Sequence, residues 1–147
     1  MIKKVKEKRI MLRLLLSSHG KFASGLKSSI EILTGADEKL TVFDAYIDQD
    51  SVKQHLDAFY KTVDENDQVI LLSDLYGGSV NQQMYLYLDH PHTWLIAGVN
   101  LALVLELCTR EEITDDELDH IIVQSRSMLR RVTIKQNDSE KAEEDFF

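Results

Sequence analysis

The strongest constraint on the fold of this chain is a regular alternation of short apolar runs with longer segments whose apolar residues recur at helical spacing. Short apolar runs bounded by turn residues are typical of strands that are buried on both faces. Strands that alternate with amphipathic helices favour a mostly parallel sheet with helices on both sides. The sequence therefore predicts a doubly wound α/β fold with three α/β/α layers.

The predicted elements follow one another as strand and helix along the whole chain. Strands are expected at 10–16, 41–47, 68–73 and 93–97, with a last short strand at 131–135. Helices are expected at 21–34, 52–63, 79–89 and 101–109, and a fifth begins at a capping box of Thr114 and Glu117. Either Asp48 or Asp50 is predicted to cap the second helix.

Apolar stripes identify the helix faces that are expected to pack against the sheet. The stripe of the first helix consists of Phe22, Leu26, Ile30 and Leu33. The stripe of the fifth helix consists of Leu118, Ile121, Ile122, Ser125, Met128 and Leu129. Gly35 follows the first stripe directly, at a position where glycine often ends a helix.

Length and composition favour one domain, because 147 residues lie within the usual range of domain sizes. The 25 acidic residues outnumber the 17 basic ones and give a net charge of −8. Nucleic acid is therefore not expected as a partner, since proteins bind phosphate backbones with basic side chains. The only cysteine, Cys108, cannot form an intrachain disulfide and is expected to be a small buried hydrophobe, which fits a reducing, cytoplasmic setting.

The two ends of the chain differ in composition from the middle. Residues 1–9 are a predicted basic extension, 10–136 the folded domain and 137–147 an acidic mobile tail. The start of the chain superficially resembles a signal peptide, but Arg13 interrupts its apolar run and no small-residue cleavage site follows. We therefore expect no signal peptide. No apolar run approaches the roughly 18 residues that a membrane-spanning helix needs.

Functional residues of doubly wound sheets lie in the loops that follow strands, near the point where the strand order reverses. The candidate loops are 17–21, 46–50, 74–79 and 98–100. His19 stands in the first, just before a predicted helix whose free N–H groups and positive dipole end favour an anion. A neutral imidazole has a lone pair that can attack phosphorus. The placement of His19 therefore predicts phosphoryl chemistry.

The third loop contains Asp74, followed by two glycines and Ser79 at the start of a predicted helix. Such a segment exposes backbone N–H groups and adds a hydroxyl, as phosphate-binding loops do. Because the first and third strands of doubly wound sheets are commonly neighbours, Asp74 is expected to accept a hydrogen bond from one ring nitrogen of His19. This bond would fix the tautomer and leave the other nitrogen as the nucleophile. Taken alone, the two glycines indicate an ordinary turn, and Asp74 or Ser79 could serve as a helix cap.

Other ligand templates fit this sequence less well. The first loop contains a bulky imidazole where a flavodoxin-type loop is rich in Ser, Thr and Asn. Neither the G-x-G-x-x-G dinucleotide spacing after the first strand nor a P-loop motif is present. We expect no nucleotide or other cofactor, and the spacing of the His, Cys and acidic residues predicts no metal site.

Three motifs occupy the candidate loops in a fixed order: SHGKFASGL at 18–26, LSDLYGGS at 72–79 and IAGVNL at 96–101. Together they resemble the IIA component of the mannose/fructose/sorbose class of bacterial sugar phosphotransferase systems. The resemblance covers about residues 10–130. Many relatives have proline after the Gly-Gly-Ser, where this chain has Val80, and this departure is expected to cost only local rigidity.

The resemblance implies a cytoplasmic phosphotransferase that works in a relay. The phosphocarrier HPr would donate a phosphoryl group to His19, which would pass it to a IIB subunit during sugar uptake, in indirect association with the membrane components IIC and IID. His19 matches the family's phosphoacceptor, and Asp74 matches the carboxylate that orients it. The Ser79 hydroxyl and the N–H groups of residues 78 and 79 would hold the phosphoryl oxygens. The predicted phosphoryl-binding residues are Gly20, Gly77, Gly78 and Ser79.

The resemblance also implies contacts with other chains. Family members are typically homodimers in which a C-terminal strand crosses to the partner's sheet, and residues 131–135 are the candidate for that strand. Lys21, Phe22 and Tyr76 flank the expected site and are predicted partner contacts, although the helical stripe favours a core position for Phe22. Two alternatives remain open: the related phosphotransfer subunit that serves dihydroxyacetone kinase, and a regulatory or anion-binding module of the same fold.

Overall fold

A computed structural model of the chain describes residues 9–35 and 38–134. These residues form four strands and five helices, and each strand is followed by a helix. The strands are β1 (Leu12–His19), β2 (Leu40–Ala45), β3 (Gln68–Ser73) and β4 (Thr93–Ala97). The helices are α1 (Phe22–Thr34), α2 (Val52–Tyr60), α3 (Ser79–Tyr85), α4 (Leu101–Cys108) and α5 (Asp115–Ser127).

The four strands pair in parallel, in the order β2-β1-β3-β4. The chain adds β2 on one side of β1 and then β3 on the other, so the strand order reverses between β1 and β3. Ser17 of β1 is paired with Ser73 of β3, which brings His19 and Asp74 to the same edge of the sheet. Ligands of open α/β sheets bind in the crevice at such a reversal.

An apolar core lies on each face of the sheet. Leu14 and Leu16 of β1 pack into the core that contains α1, α4 and α5, whereas Leu15 packs into the core that contains α2 and α3. Because helices cover both faces, successive residues of the strands are apolar instead of alternating with polar ones. The predicted doubly wound, three-layer fold is confirmed.

The strand predictions are accurate in the middle of the chain and wrong at the end of β1. β3 and β4 have the bounds predicted from the sequence. β1 continues to His19 through Ser17 and Ser18, which the prediction placed in a loop. Both serines are buried, because β1 pairs with β2 as far as His19. β2 ends at Ala45, two residues earlier than predicted.

The caps and ends of the helices differ in part from the predictions. Ser51, not Asp48 or Asp50, caps α2, because it forms a reciprocal capping box with Gln54. α3 ends at Tyr85, and residues 86–89 form a turn instead of continuing the helix. The predicted N-cap of α5 is confirmed, since the hydroxyl of Thr114 accepts the N–H of Glu117. Cys108 is buried, as predicted.

The predicted apolar stripes are buried only in part. In α1 the buried residues are Ala23, Leu26 and Ile30, so Phe22 and Leu33 lie at the flanks of the buried face and are exposed. Leu118, Ile121 and Ser125 of α5 are buried as predicted, and Ile122 is half-buried. Met128 and Leu129 are exposed, because α5 ends at Ser127 and the helical spacing no longer applies to them.

The chain ends contribute little to the described structure. The strand predicted at 131–135 is not part of this sheet: residues 131–134 are exposed without regular secondary structure, and Lys135 lies outside the described residues. Residues 1–8 of the predicted basic extension and the predicted acidic tail at 137–147 also lie outside them. None of the helices described here is long and apolar enough to cross a membrane.

Candidate active site

His19 is the last residue of β1 and stands at the carboxyl edge of the sheet, with its side chain 43% exposed. The N–H of His19 donates to Oδ2 of Asp74, and the N–H of Gly20 donates to the carbonyl of Ala45, each at 2.9 Å. Gly20 has a φ of 61°, a left-handed conformation that glycine adopts readily and that turns the chain toward α1. The backbone thus holds the imidazole in place while its surface stays accessible.

Asp74 follows β3 directly and lies beside His19, where the sequence predicted it. Its Oδ2 accepts a hydrogen bond from Nδ1 of His19 at 2.8 Å in addition to the backbone N–H, and its side chain is 15% exposed. Burial acts to raise the pKa of Asp74, but the hydrogen bonds and the charge of His19 lower that pKa below its usual value. An ionised carboxylate only accepts hydrogen bonds, so the proton of a neutral imidazole belongs on Nδ1 and the lone pair on Nε2.

Nε2 of His19 contacts the hydroxyl of Ser79, which in turn contacts the hydroxyl of Tyr46. Nε2 lies 3.2 Å from Oγ of Ser79, and that oxygen lies 2.6 Å from the phenol oxygen of Tyr46. The Tyr46 ring is tilted against the imidazole, with 5.2 Å between the ring centroids. Tyr46 belongs to the candidate loop 46–50, but no motif or spacing distinguishes it from its neighbours there. Its φ of 65° is unusual for a residue other than glycine and depends on the tertiary structure around it.

The glycines of the third loop have two different structural requirements. Gly77 has a φ of 75°, which favours glycine. Gly78 has an ordinary φ of −69°, but a Cβ at this position would lie 3.3 Å from Cβ and O of Leu75 and 3.5 Å from Cε1 of His19. The N–H of Gly78 already donates to the Leu75 carbonyl at 3.1 Å, so it is not free to bind a phosphoryl oxygen.

The start of α3 remains open to an anion. Gly78 is its N-cap, so neither Asp74 nor Ser79 caps this helix, and no side chain of the described residues accepts a hydrogen bond there. The N–H of Ser79 likewise has no acceptor within 9–35 and 38–134, as is usual in the first turn of a helix. Ser79 therefore offers a hydroxyl next to Nε2 and, at the same residue, an open backbone donor.

Two N–H groups in the first turn of α1 are already bound by side chains, contrary to the expectation that this helix start favours an anion. Oγ of Ser18 accepts the N–H of Ala23 at 2.7 Å. The carboxylate of Asp44, at the end of β2, accepts the N–H of Ser24 at 3.0 Å and its hydroxyl at 2.6 Å. An internal carboxylate therefore already occupies the positive end of this helix. No local motif identifies Asp44, because the helix whose first turn it binds begins 22 residues earlier in the chain.

Several apolar side chains in the segments that adjoin His19 and Asp74 are exposed. Phe22, which the helical stripe placed in the core, is 49% exposed, and Tyr76 is 86% exposed. Leu75 and Ile47, next to Asp74 and Tyr46 in the chain, are also exposed. The third predicted contact residue, Lys21, is exposed as well and adds a positive charge to this edge.

One group of the described residues has the composition of a metal site. Ligand atoms of Asp48, Asp50 and His55 lie within 4.8 Å of one another at the start of α2. Both carboxylates are exposed, and exposed groups of this kind are common without an ion. We therefore assign no metal to these residues.

Comparison with known proteins agrees with the geometry. The sequence profile of the family described as "PTS system fructose IIA component" matches residues 13–122. This region contains both strand-end loops that form the site, and it covers more than half of the chain.

Solved structures share this fold at low sequence identity. A candidate permease of a phosphoenolpyruvate-dependent sugar phosphotransferase system from Klebsiella pneumoniae has a TM-score of 0.77 and 24% identity, over 87% of this chain and 96% of that one. The mannose/sorbose-specific IIA subunit from Enterococcus faecalis has a TM-score of 0.71 and 24% identity, over 86% of this chain and 98% of that one. The IIA protein associated with the fucose utilization operon of Streptococcus pneumoniae has a TM-score of 0.69 and 24% identity, over 85% of this chain and 96% of that one.

Proposed function

Because the chain belongs to the family of IIA components of the phosphotransferase system, we propose that it is a phosphotransferase whose His19 accepts a phosphoryl group on Nε2. The observation that carries this proposal is the pairing of Nδ1 with Asp74 at 2.8 Å, which leaves the Nε2 lone pair at an accessible edge of the sheet. The donor is the phosphocarrier HPr and the acceptor a IIB subunit, so the protein carries phosphate during sugar uptake.

The transfer is a displacement at phosphorus. The lone pair of Nε2 forms the new N–P bond, while the bond between phosphorus and the donor's nitrogen breaks and its electron pair returns to the donor. Nδ1 keeps its proton, and the positive charge that the ring acquires is stabilised by the carboxylate of Asp74. Transfer to the IIB subunit is the same displacement with the roles exchanged.

The phosphoryl oxygens are held by donors of the third loop. The hydroxyl of Ser79 lies 3.2 Å from Nε2, and this hydroxyl and the N–H of the same residue have the polarity that a phosphoryl group requires. Gly20 and Gly77 allow the two turns that bring the loops together, and Gly78 leaves space beside Cε1 of His19. We assign these three glycines to the shape of the site and Ser79 to the direct binding of the phosphoryl group.

The exposed edge around His19 is the proposed docking surface. Phe22 and Tyr76 offer apolar contacts and Lys21 a positive charge to HPr and the IIB subunit, which must approach in turn. We also propose a cytoplasmic homodimer that associates indirectly with the membrane components IIC and IID. The exposed Val132 and Ile134 support the exchange of a C-terminal strand with a second chain.

The test is an intact-mass measurement after incubation with phosphoenolpyruvate, enzyme I and HPr. We expect the wild type to gain one acid-labile phosphoryl group, and the His19→Ala variant to gain none. His120→Ala is a matched control, because His120 is exposed on α5 and lies outside the site. A folded wild type that gains no phosphoryl group would show the proposal to be wrong. Subsequent transfer to dihydroxyacetone kinase instead of a IIB protein would favour the related kinase subunit.

A further inference from the structure

Tyr46 is joined to the nucleophile through one intermediate side chain. Its phenol oxygen lies 2.6 Å from Oγ of Ser79, which in turn lies 3.2 Å from Nε2 of His19. The contact spans two loops, because Tyr46 follows β2 and Ser79 begins α3. Tyr46 is held in the left-handed region at a φ of 65°, and non-glycine residues persist there when the surrounding structure fixes them.

The direction of each hydrogen bond follows from the ionised Asp74. Since Nδ1 donates to Asp74, Nε2 of the neutral ring can only accept, and the hydroxyl of Ser79 must donate to it. A serine hydroxyl has one proton, so Ser79 can only accept from Tyr46, whose hydroxyl therefore donates. The four groups form one chain in which the Ser79 proton points at the nucleophilic nitrogen.

We propose that Tyr46 is a positioning residue for phosphoryl transfer, because its hydroxyl directs the Ser79 proton toward the reaction centre. The inference rests on the proposed function and adds a residue to it. When Nε2 forms the bond to phosphorus and the donor's N–P bond breaks, Nε2 can no longer accept a hydrogen bond. The Ser79 proton then turns to a phosphoryl oxygen, while the Tyr46 hydroxyl continues to occupy the other side of Oγ. No proton leaves the chain in this step.

The role of the hydroxyl is separable from that of the ring. Tyr46 is 59% exposed, so its ring can contact a docked protein whether or not the hydroxyl is present. Tyr46→Phe removes only the hydrogen bond to Ser79 and keeps this surface. A neutral hydrogen bond of this kind corresponds to a change of roughly fivefold in rate.

The experiment measures single-turnover transfer from purified phospho-HPr at varied donor concentration. It compares wild type, Tyr46→Phe, Ser79→Ala and the double variant. We expect Tyr46→Phe to lower the rate at saturation roughly fivefold with an unchanged half-saturating concentration. The double variant is expected to be no slower than Ser79→Ala, because Tyr46 acts through Ser79. Tyr85→Phe is the matched control: this tyrosine is exposed on α3, and its hydroxyl forms no hydrogen bond within the described part of the chain.

Each result decides for or against the inference. A Tyr46→Phe variant that transfers at the wild-type rate would overturn it and leave the proposed function intact. Independent, multiplicative losses in the double variant would also overturn it, since Tyr46 would then act by another contact. A raised half-saturating concentration without a slower saturated rate would assign Tyr46 to docking instead of positioning. If the folded wild type accepts no phosphoryl group, the proposed function fails and this inference with it.

Discussion

The loops that follow β1 and β3 look similar in the sequence, because each leads from a buried strand into a helix through polar and glycine residues. In the structure, the helix starts that follow these loops differ in whether side chains accept their N–H groups. At the start of α1, Ser18 and Asp44 accept N–H groups of the first turn. At the start of α3, Gly78 is the N-cap, no side chain of the described residues accepts, and the N–H of Ser79 stays open.

This difference shows what makes a helix N-terminus an anion site. The backbone donors and the positive end of the dipole are present in every helix, but they attract an external anion only where no internal group occupies them. In the proposed site, the end of β1 therefore contributes His19 as the nucleophile, and the loop after β3 contributes the carboxylate that orients it and the open donors. The two loops have complementary roles in one site.

The largest expected effect comes from removing the negative charge of Asp74, which bonds His19. In Asp74→Asn, the amide can bond either tautomer of His19, so Nδ1–H is no longer favoured and the ring charge is not compensated. We expect transfer from phospho-HPr to slow by at least about a hundredfold while the fold persists. Rapid-quench kinetics measure the rate, and Asp64→Asn, an exposed carboxylate outside the site, is the control. A folded variant within twofold of the wild-type rate would contradict the role of Asp74.

The second prediction concerns the first turn of α1, where side chains already accept N–H groups. Asp44→Ala removes the carboxylate that accepts from the N–H and the hydroxyl of Ser24, so the first turn of α1 loses one of its two side-chain acceptors. Loss of a helix cap typically lowers the free energy of unfolding by about 0.5–2 kcal/mol. Urea denaturation measures this loss, with Glu31→Ala on the exposed side of α1 as the control. We expect transfer to remain close to the wild-type rate. Full stability with abolished transfer would instead place the α1 terminus in the phosphoryl site.

The third prediction concerns the start of α3, where no side chain of the described residues accepts an N–H group. In Gly78→Ala, the added Cβ meets Leu75 at 3.3 Å and His19 at 3.5 Å, so the loop must shift by a few tenths of an ångström. We expect transfer to slow about fivefold, comparable to the loss of one hydrogen bond to the phosphoryl group. Gly25→Ala is the control, because a Cβ in that part of α1 meets nothing within 4 Å. Equal rates for both variants would show that the space at residue 78 does not matter for transfer.

The features that could be predicted from the sequence depend on local patterns. The bounds of β3 and β4 follow from apolar runs that are buried on both faces, and the approach of Asp74 to His19 follows from the strand reversal alone. The burial of Ser17 and Ser18 could not be predicted in this way. These residues are polar, and they belong to the sheet because β2 extends far enough to pair with them.

The features that the sequence did not reveal depend on contacts between distant segments. Asp44 caps a helix that precedes its own strand, so no local motif connects it with Ser24. Tyr46 contacts Ser79 from a backbone with a positive φ, a conformation for which tyrosine carries no sequence signal. The proposed site therefore includes Tyr46, which directly follows β2 and lies outside the motifs at 18–26 and 72–79.

The smallest expected effect is on the stability of the fold at acidic pH. It concerns the carboxylate of Asp74, which bonds His19. The pKa of Asp74 in the folded chain lies below its ordinary value of 3.8. Its ionised form therefore contributes stability that is complete above about pH 5 and is lost as the pH falls through the lowered pKa. We expect the stability advantage of the wild type over Asp74→Asn to shrink by less than about 1 kcal/mol between pH 5 and pH 3. Urea denaturation of both proteins across this range measures the difference, and the acidic groups that they share cancel in the comparison. An advantage that stays constant down to pH 3 would show that His19 does not lower the pKa of this carboxyl.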